Sequence, residues 1–418
     1  KGSLENPIVY DFNSDGSWGD GPGIIDGGKL ITDWTDNVDG TWSAPWPKDR
    51  NARNLVLYQD NRRMAVAQRP VPPDFQSPSK VSGLALAAHM TATTVTAPEF
   101  FEAFSKPPDL PGTMIRVWEQ ANHVRVYPIT DYDADTGTVT FKTPEGNPFL
   151  HYKSPKRWRF AIFNHPDCLA VPGMFYRSSD GKQLVIRPFG DADPSDVVID
   201  YPALSSPIKI TGSYVDVRGP LVEKIAGGRG IHLQKAVHCT VSDAELRRSS
   251  FYAAIHVAGG RHNLVRDCHV HDTTGGRGIF FSGTTGSVML RNRGDRVGGT
   301  AMTFYGTTDC IGMGNTIGGS KGVHGNGMSC YLGNRNLTLV FNTFFGFGGH
   351  PLTWQNFSAG STLACNTILC GGTGYVFAHW MPSNNGWKEI GRHWIANNTV
   401  LSQGGGKMAL YPQYSINQ

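Results

Sequence analysis

The second half of the chain carries hydrophobic residues at a recurring spacing of about 24 positions. One apolar column contains Leu246, Val270, Ile317, Phe344, Ile368 and Val400, and Gly294 interrupts it. A second column lies five residues earlier in each repeat and contains Val241, Val265, Met289, Leu339, Leu363 and Ile395. A fixed period of this size is typical of repeat architectures in which each repeat stacks on the next.

A short alternating strand recurs with the same period. IHL at 231–233, IHV at 255–257 and IFF at 279–281 are 24 residues apart, and similar strands continue to KMALY at 407–411. Each strand follows a glycine-rich turn, which is a typical β-strand boundary. If Ile255 and Val257 point into the core, His256 points outward, because successive side chains of a strand alternate.

A polar residue accompanies these columns. Its members are Asn292, Asn315, Asn342, Asn366 and Asn398, at spacings of 23, 27, 24 and 32 residues. An Asn at the same turn of successive rungs can hydrogen-bond along the stack and satisfy buried polar groups. The pattern therefore predicts an all-β fold, a right-handed parallel β-helix whose rungs each contain three short strands and three turns.

The first half of the chain lacks this period. Residues 116–144 alternate around DADTG and residues 172–190 surround SSDG, so both segments predict β-hairpins. The Pro-rich stretch 76–113 predicts a loop with a short helix. We predict first β-helix rungs at 1–30, an inserted β-rich domain near the N-terminus at 31–165, and the main coil at 166–418.

Composition narrows the class of protein. Charged residues are 17% of the 418 positions and glycine occupies 51, which is typical of a loop-rich β chain. A net charge of +4 is too small to indicate a nucleic-acid partner. No apolar run reaches the roughly 20 residues of a membrane helix. The seven cysteines form no CxxC pair, and we expect most to be buried thiols. The chain begins at Lys1 without an initiator Met, which predicts a mature or trimmed form.

Four N-terminal segments carry a family resemblance. They are GGKLITDW at 27–34, GTWSAPW at 40–46, NLVLYQDNRRMAVAQRP at 54–70 and PGMFYRSSDGKQLVIRP at 172–188. Followed by Asn-bearing rungs, this order resembles secreted β-helix enzymes related to glycoside hydrolase family 141, which carry a β-domain inserted near the start of the coil. The resemblance implies a secreted or periplasmic carbohydrate-active enzyme. Related β-helix families include hydrolases, lyases and epimerases, so fold alone does not assign the reaction.

The outward side of the recurring strand is the predicted site, because an extended sugar chain can lie along one face of the coil. One outward column contains His232, His256, Phe280, Thr303, Ser329, Thr353 and Phe377. The column two residues later contains Gln234, Ser282, Tyr305, Tyr331, Gln355 and His379. Preceding turns contribute Arg229, Tyr252, Arg277, His324, Asn326 and His350. These polar groups suit sugar hydroxyls and carboxylates, and the aromatic faces suit sugar rings.

VHGNG at 323–327 lies at the mouth of this strand. Its glycines allow close backbone approach, and histidine suits proton transfer near neutral pH. The alternative is an ordinary turn with a solvated histidine. The predicted catalytic residues are His324, Asn326, His256, Asp272, Tyr305 and Tyr331. The predicted substrate-binding residues are Arg277, Arg229, Tyr252, His350, Gln355 and Trp354.

The outward columns contain no Asp or Glu. Most glycosidases use two carboxylates, about 5–5.5 Å apart for retention or about 6.5–9.5 Å for inversion. The nearest acids, Asp272 and Asp309, lie in flanking turns, and Asn326 stands where an acid would be expected. β-Elimination on a uronate polymer instead needs a carboxylate neutraliser, for which Arg277, Asn326 or His324 is suited, and a His or Tyr for proton transfer.

The resemblance ranks glycoside hydrolysis first, and residue chemistry makes polysaccharide lyase action nearly equal. A surface rich in His and Arg and poor in acids suits an anionic polysaccharide or oligosaccharide. A non-catalytic carbohydrate-binding or adhesive β-helix is the alternative from another class.

A second grid of ionisable residues lies on the outward side of the strand that carries the Asn positions. It contains Asp243, Glu245, Arg247, Asp267, His269, His271, Arg291, Arg293 and Asp295. One interpretation is a ladder of salt bridges on a solvated face, each of little energetic value. The other is a second site, with Glu245 and Asp295 as acids and His269 and His271 as bases or metal ligands. Two histidines alone indicate a metal only weakly, so we predict no metal and no cofactor.

Overall fold

The computed structural model describes residues 2–48, 55–77, 80–120, 123–143, 155–320, 325–347, 350–355, 360–370, 377–380, 394–402 and 410–413. The chain divides into two compact units. The first comprises Lys1–Gly28 with Ala203–Gln418, and the second comprises Lys29–Pro202. The first unit is a parallel β-helix, as predicted, and the second is a β-rich insertion near the N-terminus.

Three parallel sheets build the coil, each with nine strands in the described part of the chain. Sheet 1 contains Ile8–Asp11, Val215–Arg218, Thr240–Ser242, Leu264–Arg266, Val288–Leu290, Ile311–Met313, Thr338–Val340, Thr362–Ala364 and Trp394–Ala396. Sheet 2 contains Ile24–Asp26, Leu221–Glu223, Glu245–Arg247, His269–His271, Arg293–Asp295, Thr316–Ile317, Thr343–Phe347, Thr367–Cys370 and Thr399–Ser402. Sheet 3 contains Ile208–Ile210, Arg229–Gln234, Ala253–Ala258, Arg277–Ser282, Met302–Tyr305, Met328–Tyr331, Leu352–Gln355, Phe377–Trp380 and Leu410–Gln413.

The predicted apolar columns are confirmed by the strand register. Val241 pairs with Val265 in sheet 1, and Leu246 pairs with Val270 in sheet 2. These side chains are fully buried and belong to one continuous core along the coil. The period arises because each rung must present the same apolar face to the interior as the rung before it.

The predicted asparagine ladder is also confirmed, in the turn between sheets 1 and 2. Asn315 Nδ2 donates to Asn342 Oδ1 at 2.9 Å, and Asn342 Nδ2 donates to Asn366 Oδ1 at 3.0 Å. Each side-chain oxygen also accepts a backbone N–H from the rung before it, as in Asn315 N to Asn342 Oδ1 at 3.0 Å. The ladder therefore satisfies polar groups that the stack removes from water.

The insertion contains two sheets, which are mainly antiparallel. One contains Gln68–Arg69, Ala85–Leu86, His89–Met90, Thr94–Thr96, Met114–Gln120, His123–Asp133, Thr138–Phe141 and Arg159–Phe163. The other contains Gly28–Leu30, Thr35–Asp36, Trp42–Pro45, Leu57–Gln59, Arg62–Val66, Met174–Arg177, Gln183–Arg187 and Ile199–Pro202. The short helix is Pro98–Phe101, and 3₁₀ turns occur at Val81–Gly83, Pro155–Arg157, Pro166–Cys168 and Phe189–Asp191.

The insertion extends to Pro202, whereas the prediction ended it at residue 165. Both predicted hairpins are present, but the one at Met174–Arg177 and Gln183–Arg187 belongs to the insertion. Gln183–Arg187 pairs with Trp42–Pro45, and this long-range pairing leaves no mark in the local sequence pattern. The coil therefore resumes at Ala203.

Two further expectations from the sequence concern the burial of the cysteines and membrane-spanning helices. Five of the described cysteines are buried free thiols, namely Cys168, Cys239, Cys268, Cys310 and Cys330, and Cys365 is half-buried. Within the described residues, no helix is both long and apolar enough to cross a bilayer.

Candidate functional site

The middle outward column of sheet 3 forms a continuous floor. His232 pairs with His256, His256 with Phe280, and the register continues through Thr303, Ser329 and Thr353. These side chains point away from the core but are at most 7% exposed. The rings lie nearly parallel, with centroids 5.2 Å apart for His232–His256 and 4.5 Å for His256–Phe280. Other side chains of this face, such as Tyr252 and Tyr305, are the exposed ones.

The register of the late rungs corrects the two predicted columns. Thr353 pairs with Ala378, not Phe377, and Gln355 pairs with Trp380, not His379. The reason is one extra residue in this rung, which an extrapolated 24-residue period cannot detect.

His256 is held by two side chains at the centre of the floor. Arg229 Nε donates to His256 Nδ1 at 2.7 Å, so the ring proton sits on Nε2, which donates to Ser282 Oγ at 2.8 Å. Burial, together with the charges of Arg229 and Arg277, lowers the pKa of His256 to about 3. His256 is therefore a neutral positioning group for Arg229, which does not fit the predicted catalytic role.

Arg229, Tyr252 and Arg277, three of the predicted substrate-binding residues, lie together on one flank of the floor. The Arg229 guanidinium carbon is 4.9 Å from the Tyr252 ring centroid, and that of Arg277 is 5.5 Å away. Arg277 also lies 4.6 Å from the Phe280 ring. Tyr252 is 43% exposed, so the group presents an aromatic face and two cations to solvent.

A hydroxyl–amide cluster lies further along the same face. Asn326 Nδ2 donates to Ser329 Oγ, Tyr331 OH and Thr353 Oγ1 at 3.2–3.3 Å. Tyr331 OH donates to Ser329 Oγ at 2.9 Å, and the Ser329 and Thr353 hydroxyls are 2.7 Å apart. Asn326 is only 6% exposed, so it fixes the phenol of the half-buried Tyr331.

The remaining residues predicted for this face are distributed around the cluster. Tyr305 pairs with Tyr331 and is 37% exposed. His350 is half-buried before the strand Leu352–Gln355, and its carbonyl accepts the Gly327 N–H at 3.1 Å. The backbone of Gln355 ends that strand. His324 lies outside the described residues, so its predicted role is not tested.

Trp354 was predicted to bind substrate, and the structure places it in the core. It pairs with Cys330 in an inward column and is 2% exposed. Because Thr353 points outward, alternation directs Trp354 into the coil. A buried indole cannot contact a polysaccharide on the surface.

Asp272 was predicted to join the sheet 3 residues, but its carboxylate belongs to sheet 2. Arg296 Nε donates to Asp272 Oδ1 at 2.7 Å, and His271 Nδ1 lies 2.7 Å from Asp272 Oδ2. Burial alone would raise the pKa of Asp272, but Arg296 and His271 hold it well below its usual range. The left-handed backbone of Asp272, with φ of 49°, turns the chain between the two sheets.

The ionisable grid on sheet 2 is an ion-pair network. His269 Nε2 lies 2.7 Å from Asp295 Oδ1, and Arg293 and Arg296 also bind Asp295. His271 Nε2 lies 3.2 Å from Glu245 Oε1, which also accepts from Arg247. Burial would raise the pKa of Asp295, but His269, Arg293 and Arg296 lower it to about 2. These contacts match the salt-bridge interpretation.

The same contacts disfavour the grid as a metal centre. His269 Nε2 and both ring nitrogens of His271 already face carboxylates. Within the described ranges, no group of three or more His, Cys, Asp or Glu residues has the arrangement of a metal site. The carboxylates are engaged by cations, which keeps them ionised and unsuited to donate a proton.

Two features of the face escaped the sequence analysis. One is the burial of the middle outward column. The other is the bond from Arg229 to His256, which joins residues 27 positions apart. The 24-residue spacing was the available sequence signal for the arginines. It places Arg229 and Arg277 at the position of Ala253, on the rungs before and after it.

Comparison with known proteins shows the fold. A family model of the right-handed β-helix region matches residues 208–368. A solved glycoside hydrolase matches with a TM-score of 0.60 and 10% identity, covering 90% of this chain and 82% of that one. XylC in complex with xylose has a TM-score of 0.47 and 11% identity, covering 90% of this chain and 61% of that one. The Dettilon tailspike protein has a TM-score of 0.30 and 12% identity, covering 54% of this chain and 46% of that one. No curated protein matches the sequence.

Proposed function

We propose that this protein is a carbohydrate-active enzyme that cleaves glycosidic bonds of a polysaccharide lying along the outer face of sheet 3. One observation carries the proposal. A single face combines two exposed tyrosines, two arginines and a hydrogen-bonded phenol on a continuous floor. Aromatic faces bind sugar rings, and convergent polar groups orient them. A secreted or periplasmic location is part of the proposal.

Hydrolysis is the first candidate reaction. It is supported by the likeness to a solved glycoside hydrolase and by the resemblance of the N-terminal segments to family 141. An exposed carboxylate, Asp309, lies in the turn after Met302–Tyr305, and its Oδ1 accepts from Asn336 Nδ2 at 2.8 Å. Asp309 is our candidate acid, and His324 is the candidate partner in proton transfer.

Elimination is the second candidate, and a specific observation favours it. The strands of sheet 3 contain no Asp or Glu, whereas glycoside hydrolysis usually needs two carboxylates. Elimination needs a cation at the uronate carboxylate, a base for the neighbouring proton and an acid for the leaving oxygen. Arg277 supplies a cation, and Tyr331 and Tyr305 supply phenols for proton transfer.

Tyr331 provides the first test. We expect Tyr331→Phe to lower kcat about 100-fold, because it removes a positioned proton-transfer group without changing the ring. The matched control is Tyr10→Phe, since Tyr10 is 57% exposed in sheet 1. The assay follows new reducing ends and the ultraviolet absorbance of unsaturated uronate on acidic and neutral polysaccharides.

The outcomes separate the candidates. Reducing ends without the absorbance assign hydrolysis, and both signals together assign elimination. Wild-type activity in Tyr331→Phe would remove Tyr331 from the chemistry. If the wild type yields neither signal on any polymer but binds one of them, the protein is a carbohydrate-binding β-helix and the proposed function is wrong.

A further inference from the structure

The arginines in the strands of the coil fall into two groups. Those of sheets 1 and 2 pair with carboxylates, as in Arg218–Asp216 at 3.0 Å and Arg247–Glu223 at 2.9 Å. Arg266 and Arg293 are likewise paired, with Asp267 and Asp295. In the described part of the chain, the two sheet 3 arginines, Arg229 and Arg277, contact aromatic rings and a neutral histidine instead.

The positions of these two arginines are set by the register. Arg229 and Arg277 both pair with Ala253, from opposite sides. Two strand spacings therefore separate their backbones, about 10 Å. Ala253 has a short side chain, and the Tyr252 ring lies within 4.9 and 5.5 Å of the two guanidinium carbons. The three side chains form one surface, in which both guanidinium groups pack against the Tyr252 ring.

The surroundings keep this surface positive. His256 accepts from Arg229 Nε and is neutral, so it orients the guanidinium without offsetting its charge. Within the described part of the chain, Arg229 and Arg277 contact aromatic rings and a histidine, and neither forms a salt bridge with a carboxylate. Lys209, exposed at the end of the same sheet, adds a further positive charge.

We propose that Arg229 and Arg277, with Tyr252 between them, form a subsite that selects a uronic acid residue through its carboxylate. A guanidinium binds a carboxylate through two parallel N–H···O bonds, and the exposed part of the Tyr252 side chain contacts the sugar. The inference rests on the proposed function, because it names the substrate class of the same face.

The test compares sugars that differ only in the carboxylate. Oligosaccharides of galacturonate, glucuronate and mannuronate are titrated calorimetrically beside their carboxyl-reduced counterparts, in which an alcohol replaces the acid. The wild type is expected to bind at least one acidic oligosaccharide about tenfold or more tightly than its reduced form. Arg229→Gln and Arg277→Gln are each expected to weaken that binding about tenfold or more, while binding of the reduced form changes less than about twofold.

Two further variants test whether the loss of binding is specific to these arginines and to the geometry of the guanidinium group. Arg335→Gln removes one positive charge from an exposed turn and is expected to bind like the wild type. Arg277→Lys keeps the charge but loses the two-pronged geometry, so intermediate binding is expected. Circular dichroism establishes that each variant is folded. Equal binding of acidic and reduced sugars overturns the proposal, as does an equal loss in Arg335→Gln.

The binding titration and the cleavage assay test the subsite and the proposed function independently. Arginine-dependent uronate binding without any cleavage supports the subsite and contradicts the proposed function. Cleavage of neutral polysaccharides alone, with no preference for the acid, supports the proposed function and overturns the subsite.

Discussion

His256 shows how burial changes what a residue type can do. A histidine on the outer side of a strand looks like a proton-transfer group, but this ring is 4% exposed with both nitrogens bonded. Its neutral state follows from burial and from adjacent cations, which both penalise the imidazolium. The chemistry on this face therefore belongs to groups that remain accessible, such as Tyr331 and the arginines.

The low pKa of His256 predicts how stability depends on pH. The pKa of this ring is 6.5 in the unfolded chain and about 3 in the folded protein. Between these values the unfolded chain binds more protons, so stability falls as pH is lowered, by up to about 1.4 kcal/mol per pH unit. His232 acts in the same direction, since burial and the charges of Arg229 and Lys209 lower its pKa to about 4.

Urea unfolding of wild type and His256→Gln at a series of pH values between about 6 and 4 measures this effect. The variant should show a shallower slope, whatever its overall stability. Thr285→Ser is the control, because Thr285 is exposed on the same unit and the change removes no titratable group. Parallel curves for wild type and His256→Gln would contradict the prediction.

At the scale of elements, the asparagine ladder fixes the turn between sheets 1 and 2. Each Asn follows a residue with left-handed backbone, such as Phe341 with φ of 58° and Asn397 with φ of 53°. This turn lets the Asn side chain enter the stack and bond to the rungs before and after it. Local backbone geometry and long-range hydrogen bonding therefore support each other at every rung.

Asn342 is the clearest test of the ladder. Asn342→Ala removes an acceptor for the Asn315 backbone N–H and a donor to the Gly312 carbonyl, and it leaves both groups buried. We expect a loss of at least about 3 kcal/mol of unfolding free energy, measured by urea denaturation. Asn336→Ala is the control, since Asn336 is exposed and its Nδ2 donates to the exposed Asp309 side chain, not to a buried group. A similar small loss in both variants would show that the ladder contributes little.

The strands and buried columns of the coil could largely be predicted from the sequence, for a physical reason. Stacking places residues such as Val241, Val265 and Met289 in one buried column, so apolar residues recur in the sequence at the spacing of the rungs. Side-chain direction within turns leaves no such trace, which explains why Asp272 was assigned to the wrong face. The inward direction of Trp354 does follow from the sequence pattern, because Thr353 points outward and successive strand residues alternate.

At the scale of the whole molecule, each unit has its own hydrophobic core. Ile162 and Phe160 lie in the core of the insertion, and Leu339 and Val265 lie in that of the coil. The coil could be predicted because its contacts repeat at a constant separation. The extent of the insertion could not, because pairings such as Gln183–Arg187 with Trp42–Pro45 join distant segments without a period.

Separate cores predict separate responses to mutation. Ile162→Ala and Leu339→Ala each remove a fully buried side chain, at an expected loss of about 2–5 kcal/mol. Scanning calorimetry should show two unfolding transitions, with Ile162→Ala lowering the Tm of one and Leu339→Ala that of the other. A single transition that both variants lower equally would mean that the units unfold together.

The chain leaves and re-enters the coil at almost the same point. Ala203 N donates to the Gly27 carbonyl at 2.8 Å, and Leu204 N reaches the same oxygen at 3.2 Å. The sheet 2 strand of the first rung ends at Asp26, and the first strand of sheet 3 begins at Ile208. The insertion thus occupies the place of one ordinary turn. Because its two ends meet there, a short loop from Gly27 to Ala203 would restore an uninterrupted solenoid, so evolution could exchange the insertion without rebuilding the coil.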